Sequence, residues 1–193
     1  MNDALVESGA GEEKAKIRQM KKTLRKETLK IRDCIPQPDK AQHDRRIRDI
    51  LTGMPQYKEA DVVLAYASYK SEVDTAQLME EALAAGKYVF VPKVADDRME
   101  FWQITSFHSL HAGYRGIPEP DESVSFPEWM HAFRTAIDRE DRQSLRAMMW
   151  MPGAVFDKDR HRIGYGGGFY DRYLECLEAW KKRNNNRRVC FSM

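Results

Sequence analysis

Apolar residues recur at steps of three and four over Ile17, Met20, Leu24 and Ile31, and this spacing predicts a helix from Glu12 with one apolar stripe. Residues Met1 to Gly11 lack that period and read as a flexible lead. Pro36 and Pro38 end the first helix, and a second is predicted from about Asp39, with Ile47, Ile50 and Leu51 on its buried side and Gly53 and Pro55 closing it. The pattern then changes. Asp61 to Ala67 is a nearly continuous apolar run and reads as a buried strand. A loop from Ser68 to Val73 leads to a helix starting at Asp74, with Gln77 in capping-box position and Gly86 as its stop. Lys87 to Val91 is a second apolar strand, placed before Pro92. Strand, helix and strand in that order predict a parallel pair joined by a right-handed crossover. The loop at Ala67 to Glu72 would then lie outside a strand's carboxyl end, where open α/β sheets bind ligands. By itself Glu72 reads as a solvated loop carboxylate.

Met99 to Ile104 is a further strand. Glycines and prolines in Gly113 to Pro120 predict a rigid turn presenting Tyr114 and Arg115. Glu122 to Ser144 is polar and weakly periodic, read as a helix plus loop, and Ala147 to Met151 as a strand. Tyr170, Tyr173, Leu174, Leu177 and Trp180 form the buried stripe of a helix ending at Lys181 to Arg183, and Arg188 to Phe191 reads as a last strand. The alternation predicts a single-domain α/β fold: an open, largely parallel sheet with helices on both faces, a Rossmann-like three-layer sandwich.

Composition narrows the function. A chain of 193 residues suits one domain, taken as 12–193 after the lead. A net charge of +2 gives no global electrostatic case for a nucleic-acid-binding protein. The basic residues between Lys14 and Arg32 read chiefly as a solvated helix face, and no aromatic residue interrupts them to stack bases. Cys34, Cys176 and Cys190 have no metal-type spacing and fit free thiols in a reducing compartment. His108, His111, His131 and His161 read as surface residues. No apolar run is long enough to span a bilayer, and the acidic first thirteen residues resemble neither a secretory signal nor a transit peptide. The expectation is a cytoplasmic monomer with no nucleic-acid or membrane partner.

The chemistry concentrates between Arg162 and Asp171, which hold four of the chain's eleven glycines. Glycine has no Cβ, so such a run can turn amide N–H groups toward an anion, and the following helix adds unpaired N–H groups. Arg162 can supply a bidentate cation and Asp171 an oxygen ligand for magnesium. A Walker A loop is excluded because Phe169 and Tyr170 follow Gly168, and the dinucleotide fingerprint fails because Phe169 replaces its third glycine. Lys21 and Arg25, four apart on one helix face, could hold polyphosphate if that helix packs near the glycines.

These segments resemble the 5-formyltetrahydrofolate cyclo-ligase (methenyltetrahydrofolate synthetase) family from about Lys16 to Phe191. The resemblance is carried by Met151-Pro152-Gly153-Ala154-Val155-Phe156-Asp157 and by the Arg162 to Leu174 run. Lys21 to Arg25, Glu72-Val73-Asp74-Thr75, Gly86-Lys87 and Gly116 to Pro120 support it. It implies ATP- and magnesium-dependent closure of 5-formyltetrahydrofolate to 5,10-methenyltetrahydrofolate, through a phosphorylated formyl oxygen. It implies ATP contacts from Lys21, Lys22, Thr23, Leu24 and Arg25 and from Arg162, Ile163, Gly164, Tyr165, Gly166, Gly167, Gly168, Phe169 and Tyr170. Folate contacts are implied for Arg25, Ala67, Glu72, Tyr165, Gly166, Gly167, Gly168 and Phe169. Asp171 is implied as the magnesium ligand, and Arg162, Asp171 and Lys21 as the catalytic groups. The family pattern also implies roughly three dozen further residues past Phe191, with a second acidic metal ligand and a closing strand. Ser192 and Met193 stand there in this sequence. The alternative is therefore a catalytically weak nucleotide- or folate-binding module of the same fold.

Overall fold

A computed structural model describes residues 3–126, 128, 129, 145–183 and 189–192. In chain order its helices and strands are α1 (Asp3–Asp33), α2 (Gln37–Gly53), α3 (Pro55–Glu59), β1 (Val62–Leu64), α4 (Ala76–Ala84), β2 (Tyr88–Ala95), β3 (Arg98–Ile104), β4 (His111–Ala112), β5 (Pro118–Glu119), β6 (Leu145–Met149), β7 (Val155–Phe156), β8 (Arg162–Ile163), α5 (Phe169–Arg183) and β9 (Val189–Ser192). They group into two compact units. The first comprises residues 1–37 and 153–167, the second residues 38–152 and 168–193.

The first unit is α1 and the β7–β8 hairpin, paired antiparallel through Val155 with Ile163 and Phe156 with Arg162. Helix α1 begins at Asp3, so helical backbone runs through the residues read as a lead. Its apolar row exists but faces outward: Ile17, Met20, Leu24 and Ile31 are all exposed. Arg25, Thr28, Leu29 and Arg32 are half-buried instead. The two faces lie about a quarter-turn apart at the α-helical pitch. The hairpin had no sequence counterpart, because two-residue strands carry too little periodicity to be read.

The second unit is built on a five-stranded sheet in the order β3-β2-β1-β6-β9. β1 is parallel to both β2 and β6, and β6 is parallel to β9. Only β3 runs antiparallel, against β2. The sheet is thus mostly parallel, and its strands β1 and β6 are short, largely apolar and mostly buried. Alternate strand residues face two cores. Val63, Val89, Val91 and Met148 pack with Tyr57 of α3 and with Leu78, Met79 and Ala82 of α4. Val62, Leu64, Phe90, Phe101 and Met149 pack on the other face with Leu177, Tyr173 and Trp180 of α5. Each such buried side chain contributes about 1.5–3 kcal/mol.

Several local expectations are corrected. Ile47 and Ile50 of α2 are exposed, and only Leu51 packs against the core. β2 does not stop before Pro92 but continues through it to Ala95, with Pro92 opposite Phe101. The capping box at Gln77 does not form: Thr75 is the N-cap with no side-chain cap bond, Asp74 Oδ1 accepts from Ala76 N at 2.9 Å, and Gln77 Oε1 accepts from Arg48. Most of the segment from Glu122 to Ser144 lies outside the described residues.

Candidate functional site

In the first unit, α1 meets the glycine segment through its arginines. Arg25 is half-buried, and its Nε donates to the Gly164 carbonyl at 2.7 Å. Gly166 adopts φ +99°, a conformation that favours glycine, and a Cβ there would lie 3.5 Å from the Arg25 guanidinium. Arg162 flanks the same backbone, with Nη1 3.0 Å from where a Gly164 Cβ would be. Gly153 is held just as closely, since a Cβ would fall 2.4 Å from the Phe156 ring. Two guanidiniums thus border the Gly164–Gly166 backbone. That concentration of positive charge beside backbone bare of side chains at Gly164 and Gly166 suits an anion. Lys21, Lys22, Thr23 and Leu24 lie on exposed positions of the same helix, and Ile163 closes strand β8.

The turn from Asp157 to His161 joins β7 to β8. Asp157 Oδ1 accepts from the amides of Asp159 and His161 at 2.9 and 2.8 Å, and its Oδ2 lies 2.9 Å from His161 Nδ1. Hydrogen bonds from His161, backbone first and then side chain, hold the Asp157 carboxyl below the usual range. Asp157, Asp159 and His161 are the one grouping of three or more possible metal-ligand side chains among the described residues, and all three are exposed. Both Asp157 oxygens already serve the turn.

In the second unit, the chain leaves the carboxyl end of β1 into a tightly bonded loop. Thr75 Oγ1 donates to the Tyr66 carbonyl at 2.7 Å and accepts from Ser68 N at 3.0 Å. Lys70 takes φ +56°, and Glu72 folds back so that its Oε2 accepts from Tyr69 N at 2.8 Å. Glu72 is buried, not solvated, and Ala67 is buried beside this loop. The Gly113–Gly116 turn approaches the same place, since a Cβ on Gly116 would sit 3.8 Å from the Tyr69 hydroxyl. Tyr114 in that turn stands edge-on to Phe169 at 6.3 Å. One rim of the second unit therefore joins the Glu72 loop to the start of α5.

That start carries Gly168 at φ +67°, Phe169, the half-buried Tyr170 and the exposed Asp171. Asp171 lies in the first turn of α5, where helix amide N–H groups point outward. Arg172 stacks 5.0 Å over the Phe169 ring and donates to the Asp97 carbonyl at 3.2 Å. Arg32, read from the sequence as part of a chiefly solvated basic face, is half-buried, and its spacing of seven from Arg25 places both on one helix face. As a metal ligand Asp171 offers one hard oxygen donor group at an exposed position. That chemistry fits magnesium, which keeps several waters when one carboxylate holds it.

Comparisons with known proteins agree on one family. The profile of the 5-formyltetrahydrofolate cyclo-ligase family matches residues 17–190. A Schizosaccharomyces pombe protein described as "Probable 5-formyltetrahydrofolate cyclo-ligase" is 30% identical over 143 residues, covering 72% of this chain and 64% of that one. The mitochondrial 5-formyltetrahydrofolate cyclo-ligase of Arabidopsis thaliana is 29% identical over 178 residues, covering 85% of this chain and 60% of that one. The NMR structure of Aquifex aeolicus 5,10-methenyltetrahydrofolate synthetase superposes with a TM-score of 0.63 at 29% identity, covering 81% of this chain and 72% of that chain. The chain thus spans less than two thirds of the length of the two curated relatives. It belongs to the 5-formyltetrahydrofolate cyclo-ligase family.

Proposed function

We propose that this chain uses ATP to close 5-formyltetrahydrofolate into 5,10-methenyltetrahydrofolate. The observation that carries the reading is the family match over residues 17–190, which takes in both the Lys21–Arg25 helix and the glycine segment that Arg25 grips. A formyl amide oxygen is a weak nucleophile and a poor leaving group, so ring closure needs that oxygen activated. The γ-phosphoryl group of ATP passes to it, forming an O–P bond as the bond to ADP breaks. The side-arm nitrogen then attacks the formyl carbon and loses its proton, and phosphate leaves with the oxygen. No covalent enzyme nucleophile is needed, because phosphoryl transfer depends mainly on positioning and charge neutralisation.

In this reading Lys21, Arg25 and Arg162 neutralise the ATP phosphates. The amides of Gly164 to Gly168 line the phosphate backbone, with Lys22, Thr23, Leu24, Ile163, Tyr165, Phe169 and Tyr170 completing the nucleotide contacts. Glu72 and Ala67 bind the folate, as do Arg25 and the Tyr165–Phe169 stretch. Support for Glu72 comes from its place in the loop beyond the carboxyl end of β1, where Tyr69 N fixes one of its carboxylate oxygens. Asp171 would hold magnesium, which when bound supplies further charge neutralisation for the transferring phosphoryl group.

The test is appearance of methenyltetrahydrofolate absorbance with the full chain, 5-formyltetrahydrofolate and magnesium-ATP, beside an Asp171→Ala control. Product that requires ATP and falls in the control supports the reading. A folded chain that binds ATP and yields no product would instead be a binding module of the same fold.

A further inference from the structure

Helix α1 turns a second arginine onto the glycine segment, two turns beyond Arg25. Arg32 Nη2 donates to the Tyr165 hydroxyl at 2.9 Å, and Nη1 donates to the Gly153 carbonyl at 3.3 Å. Its guanidinium carbon also lies 6.0 Å from the centre of the Tyr165 ring. One planar group therefore ties Gly153, ahead of strand β7, to Tyr165 inside the glycine run. Between those two points lies the whole β7–β8 hairpin. Arg25 fixes the neighbouring Gly164 carbonyl from the same helix face.

We infer that Arg32 is a positioning residue for the nucleotide phosphates. The inference rests on the ATP-dependent reading above and extends it to a residue that need not touch ATP. A run with glycine at 164, 166 and 167 has many accessible conformations, and ordering it on binding costs affinity. Holding Gly153 and Tyr165 from one guanidinium restricts the run before ligand arrives. Arginine suits the task because its fork presents several donors in fixed directions, so two acceptors are met at once. Lysine at this position keeps the charge but offers a point donor on a flexible stem, and would hold one end only.

The experiment uses the full chain with Arg32→Ala, Arg32→Lys, Tyr165→Phe and the Arg32→Ala/Tyr165→Phe pair. Amide hydrogen exchange over residues 162–167 without ligand reads the clasp directly. Calorimetric binding of magnesium-ATP and the separate kcat and KM for ATP read its consequence. Arg32→Ala is expected to speed exchange in the segment and to weaken ATP about tenfold, with kcat at saturating ATP nearly unchanged. Arg32→Lys should fall between the parent and Arg32→Ala. Tyr165→Phe should weaken ATP less in the Arg32→Ala background than in the parent, since the shared bond is already gone. Faster exchange with unchanged ATP affinity would make Arg32 a structural brace only and overturn the inference. Strictly additive effects of the two substitutions would overturn it too. A parental chain that neither binds nor uses ATP would overturn the functional reading itself, and that failure shows before any variant is made.

Discussion

The carboxylate of Glu119 occupies the space where a side chain on Gly113 would begin. A Cβ added to Gly113 would lie 2.1 Å from Glu119 Oε2 and 2.4 Å from its carboxyl carbon. Glu119 is buried, and its other oxygen accepts from Val94 N at 3.1 Å. The carboxylate thus ties the turn carrying Tyr114 and Arg115 to strand β2. Gly113→Ala would push the whole carboxyl group aside and strip Val94 N of that acceptor. The expected cost is about 1–3 kcal/mol, read as a lower urea midpoint at unchanged slope. A parental midpoint would mean that Glu119 swings away freely and that the tie carries no stability.

Arg162 tests the phosphate reading most directly. Its guanidinium lies against Gly164, on the backbone that Arg25 also grips. Arg162→Ala removes a charge-assisted donor worth about 1.5–3 kcal/mol, which corresponds to about a ten- to hundredfold loss in kcat/KM for ATP. The melting temperature should move little, because α1 retains its Arg25 and Arg32 bonds to the segment. Steady-state kinetics with ATP varied at saturating folate would check it. Parental kinetics would remove Arg162 from the phosphate site.

How far the sequence disclosed this arrangement depends on the kind of signal each element carries. The strands around Val62–Leu64 and Leu145–Met149 were legible because strands buried on both faces are continuous apolar runs. Helix α5 was legible because its apolar stripe is also its packed face. Helix α1 misled in orientation: its inward face is chosen by the bonds of Arg25 and Arg32, not by Ile17, Met20 and Leu24. Hydrophobic periodicity cannot register a face held by guanidiniums. Pro92 misled for a related reason, since a proline is tolerated within a strand where its missing N–H is not called upon. The composition of the glycine segment was plain in the sequence. Its grip by Arg32 was not, because contacts 133 residues apart leave no local pattern.

Glu72 separates a binding role from a structural one. Its Oε2 holds Tyr69 N at 2.8 Å while the loop carries Lys70 in a left-handed conformation. Glu72→Gln keeps an acceptor for that amide and loses the charge. It is expected to raise the KM for 5-formyltetrahydrofolate about tenfold with little change in stability. Glu72→Ala should add a stability loss of about 1–3 kcal/mol by leaving the buried amide unpaired. Isothermal denaturation and folate-dependent kinetics on both variants distinguish the two effects. A Gln variant with parental folate kinetics would leave Glu72 a loop brace.

Tyr173 gives a prediction in pH. Its hydroxyl is buried in the core beneath α5 and has no hydrogen-bond partner among the described residues, while its ring packs 4.8 Å from Phe101. Burial pushes its ionisation well above the ordinary tyrosine range, with Glu100 and then Cys176 adding to the rise. The unfolded chain would ionise this phenol near pH 10 while the folded chain keeps it neutral. The unfolded state then binds fewer protons, so stability is retained below about pH 10 and lost as pH climbs toward the folded value. Loss from this one group approaches about 1.4 kcal/mol per pH unit. Tyr57, also raised by burial and by Glu81, contributes with the same sign. Tyr173→Phe removes a buried hydroxyl that is unpaired among the described residues, and is expected to stabilise the protein by up to about 1 kcal/mol at pH 7. Between pH 10 and 11 its stability should fall less steeply than the parent's, and below pH 9 the two curves should run parallel. Urea unfolding at half-unit steps from pH 7 to 11 measures both effects. Parallel curves across the whole range would mean that the Tyr173 phenol reaches solvent in the folded protein.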